Sequence, residues 1–324
     1  MSVEQIIQTK RIHVLFLLPF ILAGIVAGYH YFGPPPRACH EEGVIALPFI
    51  ARFHASPWLL WLGSLWLLLL SYLLFFIADR HEVLTRTTTL PALIYLLLSA
   101  GIFCHHGVNA YMVAAAMIAL ALNRLQLFIT RLNSNAPVFD FGSLIVLAVL
   151  LCPKLVLLIP WAILVLPFSG RATFKDVMAL LLGFLAALLL VAGYFFLVNE
   201  WHELPGRFLD TLLAGERKGY HLDPRQRVAI GLLTGLALVS MLHALTRTAP
   251  DIVSRRRGLL ATISLLLFLG STPFFIPLDC QAFLFVPFVP LSYLYARYFV
   301  SYRSKWSGRA LFLVLLVACL LLIL

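Results

Sequence analysis

Charge is what this 324-residue chain has least of: 12% of its residues are Asp, Glu, Lys or Arg, while 62% are hydrophobic. A water-soluble domain needs far more charge to cover its surface, so a soluble globular protein is excluded and most of the surface must face lipid. The mean hydropathy of +0.96 agrees. Acids are scarcer than bases, 14 against 24, leaving a net charge of +10 and a pI near 9.6. In a soluble protein that balance would raise nucleic acid as a partner. In a chain this apolar it is read as orientation plus attraction to anionic lipid, with membrane lipid as the partner and no nucleic acid. Also missing are a glycine-rich phosphate loop, a nucleophile elbow and a zinc-protease helix motif, which removes ATP hydrolysis and kinase chemistry but not an enzyme working on lipid. No linker, low-complexity tract or internal repeat is evident, which weakens a transporter built on inverted halves.

What the chain does have is apolar runs of membrane length. A spanning helix needs about 20 residues at roughly 1.5 Å each. Nearly charge-free stretches lie at 12–32, 58–78, 87–104, 107–128, 136–152, 155–170, 177–199, 228–246, 258–278, 280–296 and 306–324. The expected fold is therefore an all-α polytopic transmembrane helix bundle of about 11 spans (9–11), forming a single integral membrane domain over 1–324. Lys10 and Arg11 precede the first stretch as in a signal peptide. That run continues to Phe32 without a small-x-small cleavage site, so it reads as an uncleaved first helix. Prolines at 19, 91, 160, 273, 277, 287 and 290 bend or break their helices. The segment Phe274 to Pro290 is so interrupted that a cavity wall near Asp279 is expected there.

Lys and Arg are retained on the cytoplasmic side, which sets orientation. With the N-terminus cytoplasmic, sixteen of the 24 basic residues fall on cytoplasmic flanks and eight outside. Adding the acids, the cytoplasmic side carries the whole net charge of +10 and the outer side is neutral. Helices 136–152 and 155–170 could instead form a re-entrant hairpin. Lys154 at its tip argues against this, because a lysine near the bilayer centre costs roughly 2.5–3.5 kcal/mol on insertion scales.

Only two loops are long enough to carry chemistry, 33–57 and 200–227, and both are expected outside. The second contains a Pro205–Gly215 stretch whose Phe208, Leu209, Leu212 and Leu213 share one face, which predicts a short interfacial helix at about 206–215. It is read as a lid lying flat on the membrane, or as a gate over a lateral lipid entrance with Arg217, Lys218, Arg225 and Arg227 presented to a substrate phosphate. In the first loop, Glu41 and Glu42 are candidate catalytic acids. A carboxylate there can take the proton of an acceptor hydroxyl or hold a divalent cation against a diphosphate leaving group. His40, with His105 and His106 of the third-to-fourth turn, is a candidate metal set, although the spacing matches no established ligand pattern. Cys39 and Cys104 are a candidate disulfide in an oxidising compartment. A third alternative leaves these side chains as ordinary interfacial residues.

The stretches Thr89-Leu90-Pro91-Ala92-Leu93-Ile94-Tyr95, Phe139-Asp140-Phe141-Gly142 with Cys152-Pro153-Lys154, and Phe174-Lys175-Asp176 leading to Ala192-Gly193-Tyr194-Phe195 resemble an uncharacterised multi-pass bacterial inner-membrane family. Its members sometimes carry a beta-carotene monooxygenase label. The resemblance covers about a third of the chain and implies an inner (plasma) membrane location without supplying an activity. The label itself does not fit, because carotenoid-cleaving enzymes are β-propellers holding iron with four histidines. The chain is also similar, more faintly, to polyprenyl-phosphate-dependent membrane glycosyltransferases. That likeness implies an acidic residue in the first outer loop, here Glu41 or Glu42, and a lipid-phosphate site on the outer side; it departs from them in a shorter first loop and the lack of a second outer acidic motif. Three functions follow as expectations: a membrane-embedded transferase acting on a lipid-linked envelope glycan precursor, a lipid or solute transporter, or a non-catalytic subunit of a cell-envelope assembly. A transporter should show buried polar groups near mid-bilayer, for which Asn109, Asn123 and Gln126 are the candidates.

Overall fold

The structure, a computed structural model, describes residues 13–32, 57–80, 88–130, 135–170, 172–213, 224–246, 253–278, 280–301 and 305–323. Within them the chain forms twelve α-helices: α1 His13–Phe32, α2 Pro57–Arg80, α3 Leu90–His106, α4 Ala110–Thr130, α5 Ala136–Leu151, α6 Leu158–Phe168, α7 Phe174–Leu197, α8 Leu204–Leu213, α9 Pro224–Thr246, α10 Val253–Phe275, α11 Phe288–Ser301 and α12 Lys305–Ile323. Two short 3-10 turns, Pro153–Leu155 and Gln281–Phe285, precede α6 and α11. Five helical segments, Leu60–Arg80, Ala110–Thr130, Phe174–Leu197, Pro224–Thr246 and Val253–Phe275, are long and apolar enough to cross a membrane by length and composition, and several shorter helices are apolar too. This is a multi-pass membrane protein.

Local signals explain where the helices start and stop. Pro137 sits in the first turn of α5 and Pro91 in that of α3, where a missing N–H costs nothing. A capping box opens α7, with the Thr173 N–H and Oγ1 both donating to Asp176 Oδ2, at 2.7 and 2.8 Å. Gly107 ends α3 at φ 62 and donates its N–H to the Phe103 carbonyl at 2.7 Å. Asn109 Oδ1 then accepts the Met112 N–H at 3.2 Å and starts α4. It is a capping residue at a helix end, not a polar group at mid-bilayer.

Two of the shorter helices are deeply enclosed. Fourteen residues of α3 and twelve of α11 are buried, so these two run through the interior, while α7 turns Leu182, Leu185, Leu189 and Phe196 outward. Inner helices are held together by aromatic polar tips that satisfy neighbouring backbone: Tyr295 Oη donates to the Leu233 carbonyl at 2.6 Å, Tyr293 Oη to that of Leu74 at 3.1 Å and Trp66 Nε1 to that of Met112 at 3.3 Å. The closest helix pairing is α5 on α7. A Cβ at Gly142 would lie 2.7 Å from the Leu180 carbonyl oxygen, and one at Gly183 would collide with the Phe139 carbonyl oxygen. Small residues let these two backbones touch.

Contacts also sort the helix ends into two sets. Tyr29 of α1, His105 of α3 and Leu322 of α12 meet at one end, as do the second 3-10 turn and the start of α9. At the other, Arg124 closing α4 pairs with Asp140 opening α5 at 3.4 Å, and Arg257 of α10 lies over Gly170 just after α6. The expected stretch 280–296 is not one helix. It opens as the 3-10 turn, and the α-helix begins only at Phe288, because Pro287 and Pro290 lack the amide hydrogens a continuous helix would use. As expected for this broken segment, Phe274, Phe283, Leu284 and Pro287 line a cavity of about 530 Å³, which opens between α9 and α10.

Candidate functional site at the histidine-bearing end

One end of the bundle carries a continuous run of polar contacts. His105 Nε2 lies 3.1 Å from the Leu322 carbonyl oxygen, which can only accept, so in the neutral ring Nε2 holds the proton and Nδ1 accepts from Tyr29 Oη at 3.1 Å. The next residue, His106, places Nδ1 3.9 Å from Cys280 Sγ. Cys280 is disulfide-bonded and also accepts the Ala282 N–H at 3.3 Å. Beside it, Gln281 Nε2 donates to Gln226 Oε1 at 2.7 Å, a buried pair that fastens the second 3-10 turn to the first turn of α9. Arg225 and Arg227 flank Gln226 and are exposed. His106, Cys280, Gln281 and Gln226 thus form a chain of neighbours at this end, with Arg225 and Arg227 on either side of Gln226.

A second feature of this end is Lys154, 1% exposed, in the first 3-10 turn between Pro153 and Leu155. The short helix α8 packs onto this turn, with Leu204 and Phe208 packed against the core. It spans Leu204–Leu213, starting two residues before the expected 206. Within it, Arg207 binds Glu203 at 2.6 Å and Glu200 at 2.9 Å and lies 5.8 Å over the Phe195 ring. The bond from Glu203 pushes the Arg207 pKa up, so the guanidinium stays charged. Exposed pairs of this kind fix orientation more than they stabilise. In the sequence Lys154 is a topological marker; the structure encloses it beneath α8.

Glu41, Glu42, His40 and Cys39 lie outside the described residues, as do Arg217, Lys218 and Asp279. Cys104, the other half of the expected disulfide, is a buried free thiol, and the half-cystine of this region is Cys280. Among the described residues no group of three or more His, Cys, Asp or Glu is placed to hold a metal ion. Gln226, Gln281 and Cys280 carry no signal in the sequence that singles them out; Lys154 does, as the lone cation within two consecutive apolar runs. No family model, curated protein or solved structure matches the chain.

Proposed function

We propose that this protein is a transferase embedded in the bacterial inner membrane that acts on a lipid-linked precursor of a cell-envelope glycan. The observation that carries this is a pair of exposed arginines, Arg225 and Arg227, flanking the buried Gln226–Gln281 pair at one end of a membrane bundle whose opposite end holds Arg124, Arg255, Arg256 and Arg257. Helices alternating between these ends fit eleven spans with a cytoplasmic N-terminus, which puts the histidine-bearing end outside. A disulfide at Cys280 supports that orientation, since disulfides persist in oxidising compartments.

In this scheme the acceptor hydroxyl oxygen forms a bond to the sugar's anomeric carbon as the bond from that carbon to the lipid phosphate oxygen breaks. Glu41 or Glu42 takes the hydroxyl proton, and the leaving phosphate keeps the electron pair against the cations. A divalent metal beside the diphosphate is compatible with the same roles. Glu41→Gln and Glu42→Gln are expected to abolish glycan transfer while leaving protein level and detergent elution unchanged; wild-type glycan profiles in both variants would overturn the assignment.

A further inference from the structure

We infer that the disulfide at Cys280 is made with Cys39, so that a covalent bond anchors the connection between α1 and α2 to the histidine-bearing end of the bundle. Counting cysteines carries the pairing. The chain has five, at positions 39, 104, 152, 280 and 319. Cys104, Cys152 and Cys319 are outside any disulfide, while Cys280 is disulfide-bonded within a single chain. One cysteine is left to complete the bond. The pairing expected from the sequence, Cys39 with Cys104, therefore keeps its first half and changes its second.

The surroundings of Cys280 fit this partner. Tyr29, in the last turn of α1, holds His105, and the adjacent His106 lies 3.9 Å from the Cys280 sulfur. The end of α1 and Cys280 thus belong to one cluster of contacts. Cys39 follows Phe32, the last residue of α1, by seven residues, which reach roughly 23–25 Å when extended. That is ample to return to a sulfur two imidazole rings away from Tyr29. Cys280 itself is 4% exposed, and its sulfur, carrying no proton in a disulfide, accepts the Ala282 N–H at 3.3 Å. Forming the bond takes two protons and two electrons from the two thiols and passes them to a disulfide oxidant of the outer compartment, which leaves as two thiols.

The anchor also positions the proposed acids, and this role rests on the transferase reading whereas the bond does not. Glu41 and Glu42 are the second and third residues after Cys39. A disulfide holds its two Cα atoms about 4.4–6.8 Å apart, and each further residue adds at most about 3.6 Å. With the bond in place, chain length alone keeps both acids in the neighbourhood of His106 and of Gln281, whose partner Gln226 lies between Arg225 and Arg227. Without it, the acids are tied to the bundle only through the ends of α1 and α2.

The test uses the full-length protein in its membranes, denatured with N-ethylmaleimide present so that thiols are capped before they can exchange. The unaltered protein should take up three maleimides without reductant and five after reduction. Trypsin should release, without reductant, the fragment Ala38–Arg52 joined to Gly258–Arg297, each holding one cysteine. Cys39→Ser should open Cys280 to the maleimide, and Cys104→Ser should leave it protected. Cys280 capped in the unaltered protein, joined to any other cysteine, or held in a reducible dimer would overturn the pairing, a readout that needs no variant to fold. For the positioning role, Cys39→Ser, Cys280→Ser and the double variant should each lower glycan transfer by about tenfold or more, to one common level at unchanged protein amounts, since each opens the same bond. Wild-type or unequal transfer among the three would overturn that role. The mapped bond together with wild-type glycan in both Glu41→Gln and Glu42→Gln would remove the transferase and keep the anchor; lost transfer in those variants with Cys280 capped would do the reverse.

Discussion

Gln126 is the residue where the energetic bookkeeping is least balanced. It is 4% exposed on α4, and its amide nitrogen and oxygen both lack partners. Burying an unbonded amide costs about 1–3 kcal/mol by mutational measures. Gln126→Leu, of similar size, should therefore stabilise the protein by about that amount, read as a higher melting temperature in detergent. An unchanged or lower value would mean that the amide is engaged in the membrane. The Gln226–Gln281 pair makes the opposite case. Either single change to Leu leaves a buried amide orphaned and should cost about 1–3 kcal/mol, while the double change should recover most of it. Three additive terms in that double-mutant cycle would show that the two side chains do not depend on each other. Neither glutamine stood out in the sequence, because nothing local says that positions 55 apart will meet. Lys154 could be noticed on its own, because a cation inside apolar runs is conspicuous wherever it ends up.

At the scale of elements, hydrophobic run length located nearly everything. The apolar stretches correspond to helices with boundaries shifted by a few residues, since membrane-length burial leaves little choice of register. The stretch 280–296 diverged because composition cannot separate a continuous span from a 3-10 turn followed by a shorter helix; two prolines made that difference. Pairings between elements were not legible either. The contact of α5 on α7 depends on Gly142 and Gly183, which read in sequence as ordinary glycines in apolar helices. Gly142→Ala should weaken this contact by about 1–3 kcal/mol, the usual cost of overpacking, despite alanine's roughly 1 kcal/mol better helix propensity. Thermal unfolding of purified protein measures the sum. A stabilised Gly142→Ala variant would show that the two backbones can separate without loss, and would deny the glycines their packing role.

For the whole molecule, the alternation of helix ends is the feature on which side, leaflet and site all depend. The distribution of basic residues assigns each connection to a face. The contacts then gather the same ends: Tyr29, His105 and Leu322 together, and Arg124 with Asp140 apart from them. Helix packing and basic-residue bias have independent physical causes, so their agreement is more than either alone. The proposed assignment of one end to the cytoplasm rests on the bias and on the Cys280 disulfide, and it can be measured directly. Among the described residues the thiols outside a disulfide, those of Cys104, Cys152 and Cys319, are 4%, 4% and 2% exposed, so they should add little background when a membrane-impermeant maleimide is added to intact cells. Thr211→Cys, on α8 at the histidine-bearing end, should then be labelled from outside, and Ser254→Cys, at the start of α10, only after the membrane is opened. Labelling of Ser254→Cys in intact cells would invert the bundle. It would place Cys280 in a reducing compartment, where a disulfide would not persist.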